Sequence, residues 1–425
     1  MSLKITGVRI TPVAVQDPPL LTAIGVHQPY ALRSVLEVET DAGLTGIGEA
    51  YGDDPTLERL HRAAPALIGL DVFDLNSLHR RVVGALGAAV PTEVLTPLVG
   101  AGSQGKAVAA TVAAFEVPCL DLQGKAVGRP VVDLLGGPAR TEVPFSAYLF
   151  YRWAGHPVAP GYPEDDWGEA LDPDGIVAQA RRMVDRYGFG SLKLKGGVLP
   201  PDQEVETVFA LREAFPGRPL RIDPNANWSV PVALRVAERL SGVLEYLEDP
   251  VGGIPQMAEV ARATDLPLAT NMCVTSMEEL PPGIEQGAVR VVLSDHHFWG
   301  GLRATQRLAA VCETFGLGMS MHSNTHLGVS LAAMTHVAAA IPSLTYACDT
   351  HRPWQREDVI APGELTFCDG ALAVPTGPGL GVSLDHEALA RLHAQYERCG
   401  VRRRDDVAAM RVVHPDWTGK QPRFS

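Results

Sequence analysis

Between residues 141 and 350, short apolar or β-branched runs alternate with amphipathic helical stretches, and that rhythm leaves few architectures open. Strands are expected at 143–150, 191–195, 219–223, 244–248, 267–271, 290–295, 318–322 and 344–348. Helices are expected near 174–187, 202–215, 230–241, 255–264, 275–286, 300–316 and 328–340. Eight strands with seven helices between them make an α/β fold, a (β/α)8 TIM-like barrel or a modified form of one.

The flanks read differently. Residues 1–140 read as a separate α+β unit, with a strand over Lys4–Val15 and a hairpin of Ser34–Glu39 and Leu44–Ala50 turned by Thr40-Asp41-Ala42-Gly43. Helices follow near 54–68, 74–86 and 105–127, and Gly136-Gly137-Pro138 stops the unit. The barrel then occupies 141–355. The remaining segment, 356–425, is too short for another large domain and is expected to return to the N-terminal unit, which would cap the barrel.

The polar residues of the barrel fall in phase. Lys195, Asp223, Glu248, Asn271, Asp295 and His322 each end a successive strand, at gaps of 28, 25, 23, 24 and 27 residues. One such residue is most simply a helix cap or a turn residue. Six at one strand–helix spacing place six ionisable or amide groups at one mouth of the barrel, the end where such barrels carry their chemistry.

The residue types suit one chemistry. Asp223, Glu248 and Asn271 are hard oxygen donors, the set that Mg²⁺ prefers, whereas zinc favours His or Cys. A carboxylate bound to such a cation can lose its α-proton, because the ion stabilises the charge that develops. Lys195 is one candidate base, with Lys193 on the same strand face supplying a like charge that disfavours its protonated form. His322 is another, with Asp295, one strand earlier, to orient its ring.

Composition bounds the partners. A net charge of −13 over 425 residues argues against nucleic acid, while a local lysine cluster still suits a small anion. No apolar run reaches the ~18 residues of a membrane span, and no basic, then apolar, N-terminal segment suggests a signal peptide. The cysteines (119, 273, 312, 348, 368 and 399) form no Cys-x-x-Cys pair, so a reducing, cytoplasmic setting is expected.

With these residues assembled, the chain resembles the enolase superfamily and, within it, the glucarate dehydratase group. The motifs "LDLQGKAVGRPVVDLLGG", "FGSLKLKGGVL", "IDPNANWS", "LEDP", "LATNM", "DHHFWGG", "MHSNTH" and "THVAAAIP" occur in order over nearly the whole length. The resemblance implies that Asp223, Glu248 and Asn271 hold Mg²⁺, that Lys195 is the base on one face of the substrate, and that His322 with Asp295 serves the other. Asn324 would stand beside His322, which would protonate the leaving hydroxyl. Lys193, Asn225, Ser323, His27, Tyr148 and His351 would bind substrate, with His27 on a loop that closes over the mouth. Two positions depart from the group. Its loop threonine reads here as "VGAGSQGKA", leaving Ser103 in its place, and its C-terminal arginine falls at or near Gln421, with Arg423 or Lys420 close by.

The resemblance thus implies a Mg²⁺-dependent dehydratase of a sugar diacid, D-glucarate and its epimer L-idarate giving 5-dehydro-4-deoxy-D-glucarate, in a homo-oligomer. Another acid sugar such as galactarate is the nearest alternative. A metal hydrolase built on His296, His297, His322 and His326 is a second, and a non-catalytic partner of a true dehydratase a third.

Overall fold

The protein is described from a computed structural model, which covers residues 3–87, 104–159, 162 and 165–425. The N-terminal sheet is an antiparallel meander of β1 (Ile5–Gln16), β2 (Tyr30–Thr40) and β3 (Thr45–Tyr51). Its hairpin turns at Gly43, whose φ of 73° suits glycine, and the Gly43 amide donates to the Thr40 carbonyl at 3.0 Å. The middle strand, β2, is buried along nearly its whole length.

The helix Gln104–Val127 lies across β3. It can approach so closely because Gly46 and Gly48 carry no side chain: a Cβ on Gly46 would stand 2.2 Å from the Pro118 carbonyl oxygen. The other side of this helix meets the barrel, where buried Glu116 accepts the Leu302 amide at 2.6 Å. Contact on both sides explains its apolar composition. Among the described residues no helix is long and apolar enough to cross a membrane.

Eight parallel strands form the barrel: β4 (Glu142–Phe150), β5 (Ser191–Lys195), β6 (Leu220–Asp223), β7 (Tyr246–Glu248), β8 (Leu268–Thr270), β9 (Val291–Ser294), β10 (Gly318–Met321) and β11 (Cys348–Thr350). Their order is β10-β9-β8-β7-β6-β5-β4-β11, so every neighbour except the β11 junction follows the chain. Between β10 and β11 there is no ladder. The Thr345 and Tyr346 amides both reach the Met319 carbonyl, and the Ser320 hydroxyl reaches Ala347, so the barrel is nearly closed. The register aligns the strand ends: Tyr148 stands opposite Lys193, Phe150 opposite Lys195, and Lys195 opposite Asp223.

Three elements differ from the sequence expectation. The eighth strand starts at Cys348 rather than 344, because pairing with β4 begins at Cys348 opposite Phe145. The stretch expected as helix over 275–286 is helical only over Leu280–Glu285. There Glu279 holds Thr275 in a turn through its amide and hydroxyl, and Pro281 and Pro282, lacking N–H groups, fit a first turn better than an interior. The helix expected over 54–68 ends at Ala63 and tightens into a 3-10 turn over Ala64–Leu67, which contains Pro65.

The C-terminal segment runs back over the N-terminal sheet. Helix His386–Cys399 lies along β1, with His393 Nδ1 donating to the Pro12 carbonyl at 2.8 Å and Gln395 to Ala14 at 2.9 Å. The tail then passes the barrel mouth, where Phe424 bridges to Trp228.

Candidate active site

Lys193 and Lys195 point the same way because they are two residues apart on β5. Lys193 Nζ is fully buried, 2.6 Å from Glu248 Oε2, 2.7 Å from Asp349 Oδ2 and 3.8 Å from Asp223 Oδ2. Lys195 Nζ lies 2.6 Å from Asp223 Oδ2 and bonds Asn225 Oδ1. Asn225 adopts φ 55°, which returns its own amide to Asp223 Oδ1 at 3.0 Å. The loop after β5 is held by buried Glu204, which accepts the amides of Gly197, Val198 and Leu199.

Lys193 carries its charge beside Lys195, held there by two carboxylates. Burial disfavours its charge, but the Asp349 and Glu248 carboxylates outweigh that and raise its pKa well above the usual lysine value. Asp349 was missed in the sequence because the expected eighth strand stopped one residue before it. With it, three carboxylates surround two ammonium groups.

That unbalanced charge is a test of whether the residues fit a divalent cation. Glu248 is buried, and desolvation together with the Asp223 charge pushes its pKa well up. Glu248 Oε1 and Asn271 Oδ1 are buried without a hydrogen-bond partner, which is costly unless something is bound there. Asn271 is held in place by Asp249, which accepts the Asn271 amide at 2.8 Å and the Thr270 hydroxyl at 2.5 Å. Burial and the Asp223 charge raise Asp249 to about 7. The donor set of Asp223, Glu248 and Asn271 is all oxygen, so the residues fit a hard cation.

Beside this cluster stands an aromatic wall. Tyr148 Oη is 3.4 Å from Asp223 Oδ2. The ring of Tyr148 packs on Phe150 at 4.6 Å and on His351 at 5.0 Å, and His27 meets Phe150 at 6.0 Å. Phe150, not foreseen from sequence, is thus the hub joining His27, Tyr148 and His351. His27 Nδ1 is 3.1 Å from Asp17, itself 3.6 Å from Arg404.

The opposite part of the mouth is built from β9 and β10. Asp295 Oδ2 lies 3.3 Å from His322 Nδ1 and 3.5 Å from His326 Nε2, and Asp295 Oδ1 accepts the His297 amide at 3.0 Å. Burial works against the Asp295 charge, yet His326 and His322 hold its pKa well below the usual value. His296 stacks on His297 at 4.2 Å. Burial, reinforced by the neighbouring imidazoles, lowers His296 to about 3 and His297 well below its usual value. Ser323 Oγ is buried without a hydrogen-bond partner, and Asn324 Oδ1 accepts from Thr325. A small cavity between the two halves is lined by Lys106, Asn271, Asp295, Trp299 and His322. Lys106 sits in the first turn of the helix Gln104–Val127 and was not singled out from the sequence.

Asp295, His297 and His326 also offer ligand atoms within 4.8 Å of one another, the one such group among the described residues. Arg33 Nη2 lies 3.1 Å from His297 Nε2, so this group already faces a cation and is a poor home for a second. That argues against the hydrolase alternative.

The tail answers part of the question about the group's arginine. Gln421 Nε2 donates to the Asn225 carbonyl at 2.6 Å, beside the mouth. Arg423 donates to the Gly197 and Val198 carbonyls and packs on Trp417 and Phe424, so its charge is spent on the loop after β5. Lys420 is exposed. Ser103 lies outside the described residues.

Comparison with known proteins identifies the family. The description "Enolase C-terminal domain-like" matches residues 175–388, and "Mandelate racemase / muconate lactonizing enzyme, N-terminal domain" matches residues 5–136. A probable glucarate dehydratase of Streptomyces coelicolor is 56% identical over 428 residues, covering 99% of either chain. A solved enolase from Thermobispora bispora, complexed with magnesium and formate, superposes with a TM-score of 0.96 at 58% identity over 99% of each chain. An enolase from Pseudomonas fluorescens with bound magnesium, potassium and tartrate gives 0.97 at 53% identity over 100% of each. A capped, nearly closed barrel with this ring of strand-end residues, matched over almost its full length, belongs to the enolase superfamily, in its mandelate racemase / muconate lactonizing enzyme family.

Proposed function

We propose that the chain is a Mg²⁺-dependent dehydratase of a sugar diacid, acting on D-glucarate and L-idarate to give 5-dehydro-4-deoxy-D-glucarate. One observation carries the reading. Lys195 on β5 and His322 on β10 flank the carboxylate cluster from different sides, separated by β4 and β11 one way round and by four strands the other. The similarity to a probable glucarate dehydratase supports the choice of substrate, and the magnesium in two similar structures supports the choice of ion.

Asp223, Glu248 and Asn271 would hold the ion. Bound there, Mg²⁺ stabilises the negative charge that builds on a substrate carboxylate as its α-carbon is deprotonated. The chain's own residues do the rest. Lys195 takes the α-proton from one epimer and His322 from the other. The electron pair of the broken C–H bond forms a carbon–carbon double bond as the β C–O bond breaks. The hydroxyl leaves as water with a proton from His322, and the enol so formed ketonises. Lys193, anchored by Glu248 and Asp349, places positive charge under the reacting carboxylate. Tyr148, His27 and His351 shape the wall against which the sugar chain lies, with Asn225, Ser323 and Asn324 presenting polar groups around it.

The uncharged Gln421 at the tail position favours keeping a second reading, the same chemistry on another acid sugar such as galactarate. A screen of aldarates and aldonates with the purified chain, read as formation of a 2-keto acid, decides between them. Turnover of D-glucarate or L-idarate that disappears with a chelator and returns with Mg²⁺ is the expected result. No turnover of any acid sugar would defeat both readings and leave the non-catalytic partner.

A further inference from the structure

The His322 half of the mouth contains a cation that the proposed reaction does not use. Arg33, on β2 of the N-terminal sheet, is buried to 1% exposure. Its Nε bonds Glu49 Oε1 at 2.7 Å, and its guanidinium lies over the Tyr51 ring at 4.4 Å. Its Nη2 reaches across to the barrel, 3.1 Å from His297 Nε2 and 3.3 Å from Ser330 Oγ. Ser330 Oγ is in turn 2.9 Å from the same ring nitrogen. Glu49 fixes this geometry from the other end by accepting the amides of Leu327 at 3.0 Å and Ser330 at 2.8 Å.

A guanidinium only donates. His297 Nε2 must therefore accept, and the ring's single proton sits on Nδ1. Tyr51 from β3, His296 and Asp295 from its own turn, His326 from the loop after β10, and Ser330 from the helix Gly328–Ala339 also face this ring. Among these, Asp295 is the group that His322 also needs. A protonated His297 would be an imidazolium competing for that carboxylate, and a flipped tautomer would redirect the hydrogen bonds around it.

We propose that the Arg33–Glu49 pair is a positioning device for the acid–base group: by donating to His297 Nε2 it holds that ring in one neutral tautomer and leaves the Asp295 carboxylate to His322. Glu49 balances the guanidinium charge, so the pair acts by hydrogen-bond direction with little net field at His322. This rests on reading His322 as an acid–base group. Arg33 touches neither substrate nor ion and is not itself catalytic.

The test is ring-nitrogen NMR on the full chain labelled with ¹⁵N-histidine, with His297 assigned through His297→Gln. The wild-type protein should carry the His297 proton on Nδ1, unchanged from about pH 8 to about pH 5.5. In Arg33→Met the ring should titrate or mix tautomers. Solvent exchange of the α-proton that faces His322 should slow about tenfold or more and that of the Lys195-facing α-proton by less than about threefold, with Arg33→Lys restoring the balance. Dehydration of both epimers should fall, because His322 also protonates the leaving hydroxyl. Ser330→Ala leaves Arg33 in place and should keep the wild-type tautomer. A His297 proton on Nε2 in the wild-type protein overturns the proposal even should Arg33→Met fail to fold. So do unchanged signals in Arg33→Met, a tautomer change in Ser330→Ala, or equal slowing of α-proton exchange on both faces. The NMR arm needs no substrate, so its failure is separable from failure of the dehydratase reading.

Discussion

The two halves of the barrel mouth solve the problem of burying charge in different ways. On the β5–β7 side, Lys193 and Lys195 meet Asp223, Glu248 and Asp349 in direct ion pairs of 2.6–2.7 Å; the pairing raises Lys193 and lowers Asp223, while burial and the Asp223 charge push Glu248 up. On the β9–β10 side a single carboxylate, Asp295, serves two imidazoles at 3.3 and 3.5 Å, and burial keeps His296 and His297 neutral. The β5–β7 lattice, with one carboxylate more than it has ammonium groups, depends on charge balance, hence on a cation. A nest of imidazoles around one carboxylate needs no ion but depends on which ring nitrogens carry the protons. Placing one base in each environment gives two proton acceptors that can be perturbed separately.

The largest effect should come from upsetting the charge lattice. Glu248→Gln keeps the shape of the side chain but removes one negative ligand, and should cost about 10³-fold or more in kcat on either epimer, with Mg²⁺ affinity reduced in parallel. Titration of Mg²⁺ by activity and by calorimetry checks it. Next come the two bases. Lys195→Met should lose roughly 10²–10⁴-fold on the epimer whose α-proton faces it and spare the other. His322→Asn, which also loses the acid for the leaving hydroxyl, should lose as much on both while sparing solvent exchange of the Lys195-facing α-proton. If Lys195→Met fails on both epimers, or His322→Asn abolishes exchange on both faces, the assignment of one base to each half collapses.

A smaller effect concerns stability and separates the halves by pH. His296 is held near pKa 3 in the folded chain against 6.5 when free. Its folded-state pKa is depressed, so the unfolded chain binds the extra proton between those values. Stability should therefore decline as pH falls from about 6.5 toward about 3, by on the order of a few kcal/mol. Thermal melts across that window check the sign, and His296→Gln should flatten the slope. Asp223 on the other side behaves differently. Burial opposes its charge, but Lys195 and Lys193 lower its pKa, so its contribution is retained until pH drops below the usual carboxylate range. The smallest effect is expected from Tyr148→Phe, which removes one 3.4 Å hydrogen bond to Asp223 and should change kcat/KM by about 1 kcal/mol, several-fold.

Much of this comparison was legible in the sequence because it is one-dimensional. Six polar residues ending successive strands at near-constant spacing need only the barrel topology to be brought to one end, and the ladder register then sets Lys195 against Asp223. What escaped was information not carried by spacing. Asp349 was lost because Thr345 and Tyr346 look like strand yet bond outside the ladder. Phe150 reads as an ordinary core residue, and only its rings of contact with Tyr148, His351 and His27 reveal it as a hub. Arg33 and Glu49 are the hardest case. They alternate with apolar residues on strands of the N-terminal sheet, where charges usually mean a solvated face, and nothing local shows that this face is covered by the barrel.

The Glu49 carboxylate has one more consequence. The helix Gly328–Ala339 begins at Leu327, which has no side chain able to receive its first free amides, and the acceptor it uses for Leu327 and Ser330 is borrowed from β3, some 280 positions earlier in the chain. The barrel thus keeps one of its helix starts in another unit's hands. Severed from residues 1–140, it would leave the Leu327 and Ser330 amides without their acceptor, with Asp358 still holding the Gly328 amide at 2.9 Å. A capping unit exchanged between relatives would need to bring both Arg33 and Glu49 with it to find a partner that still folds.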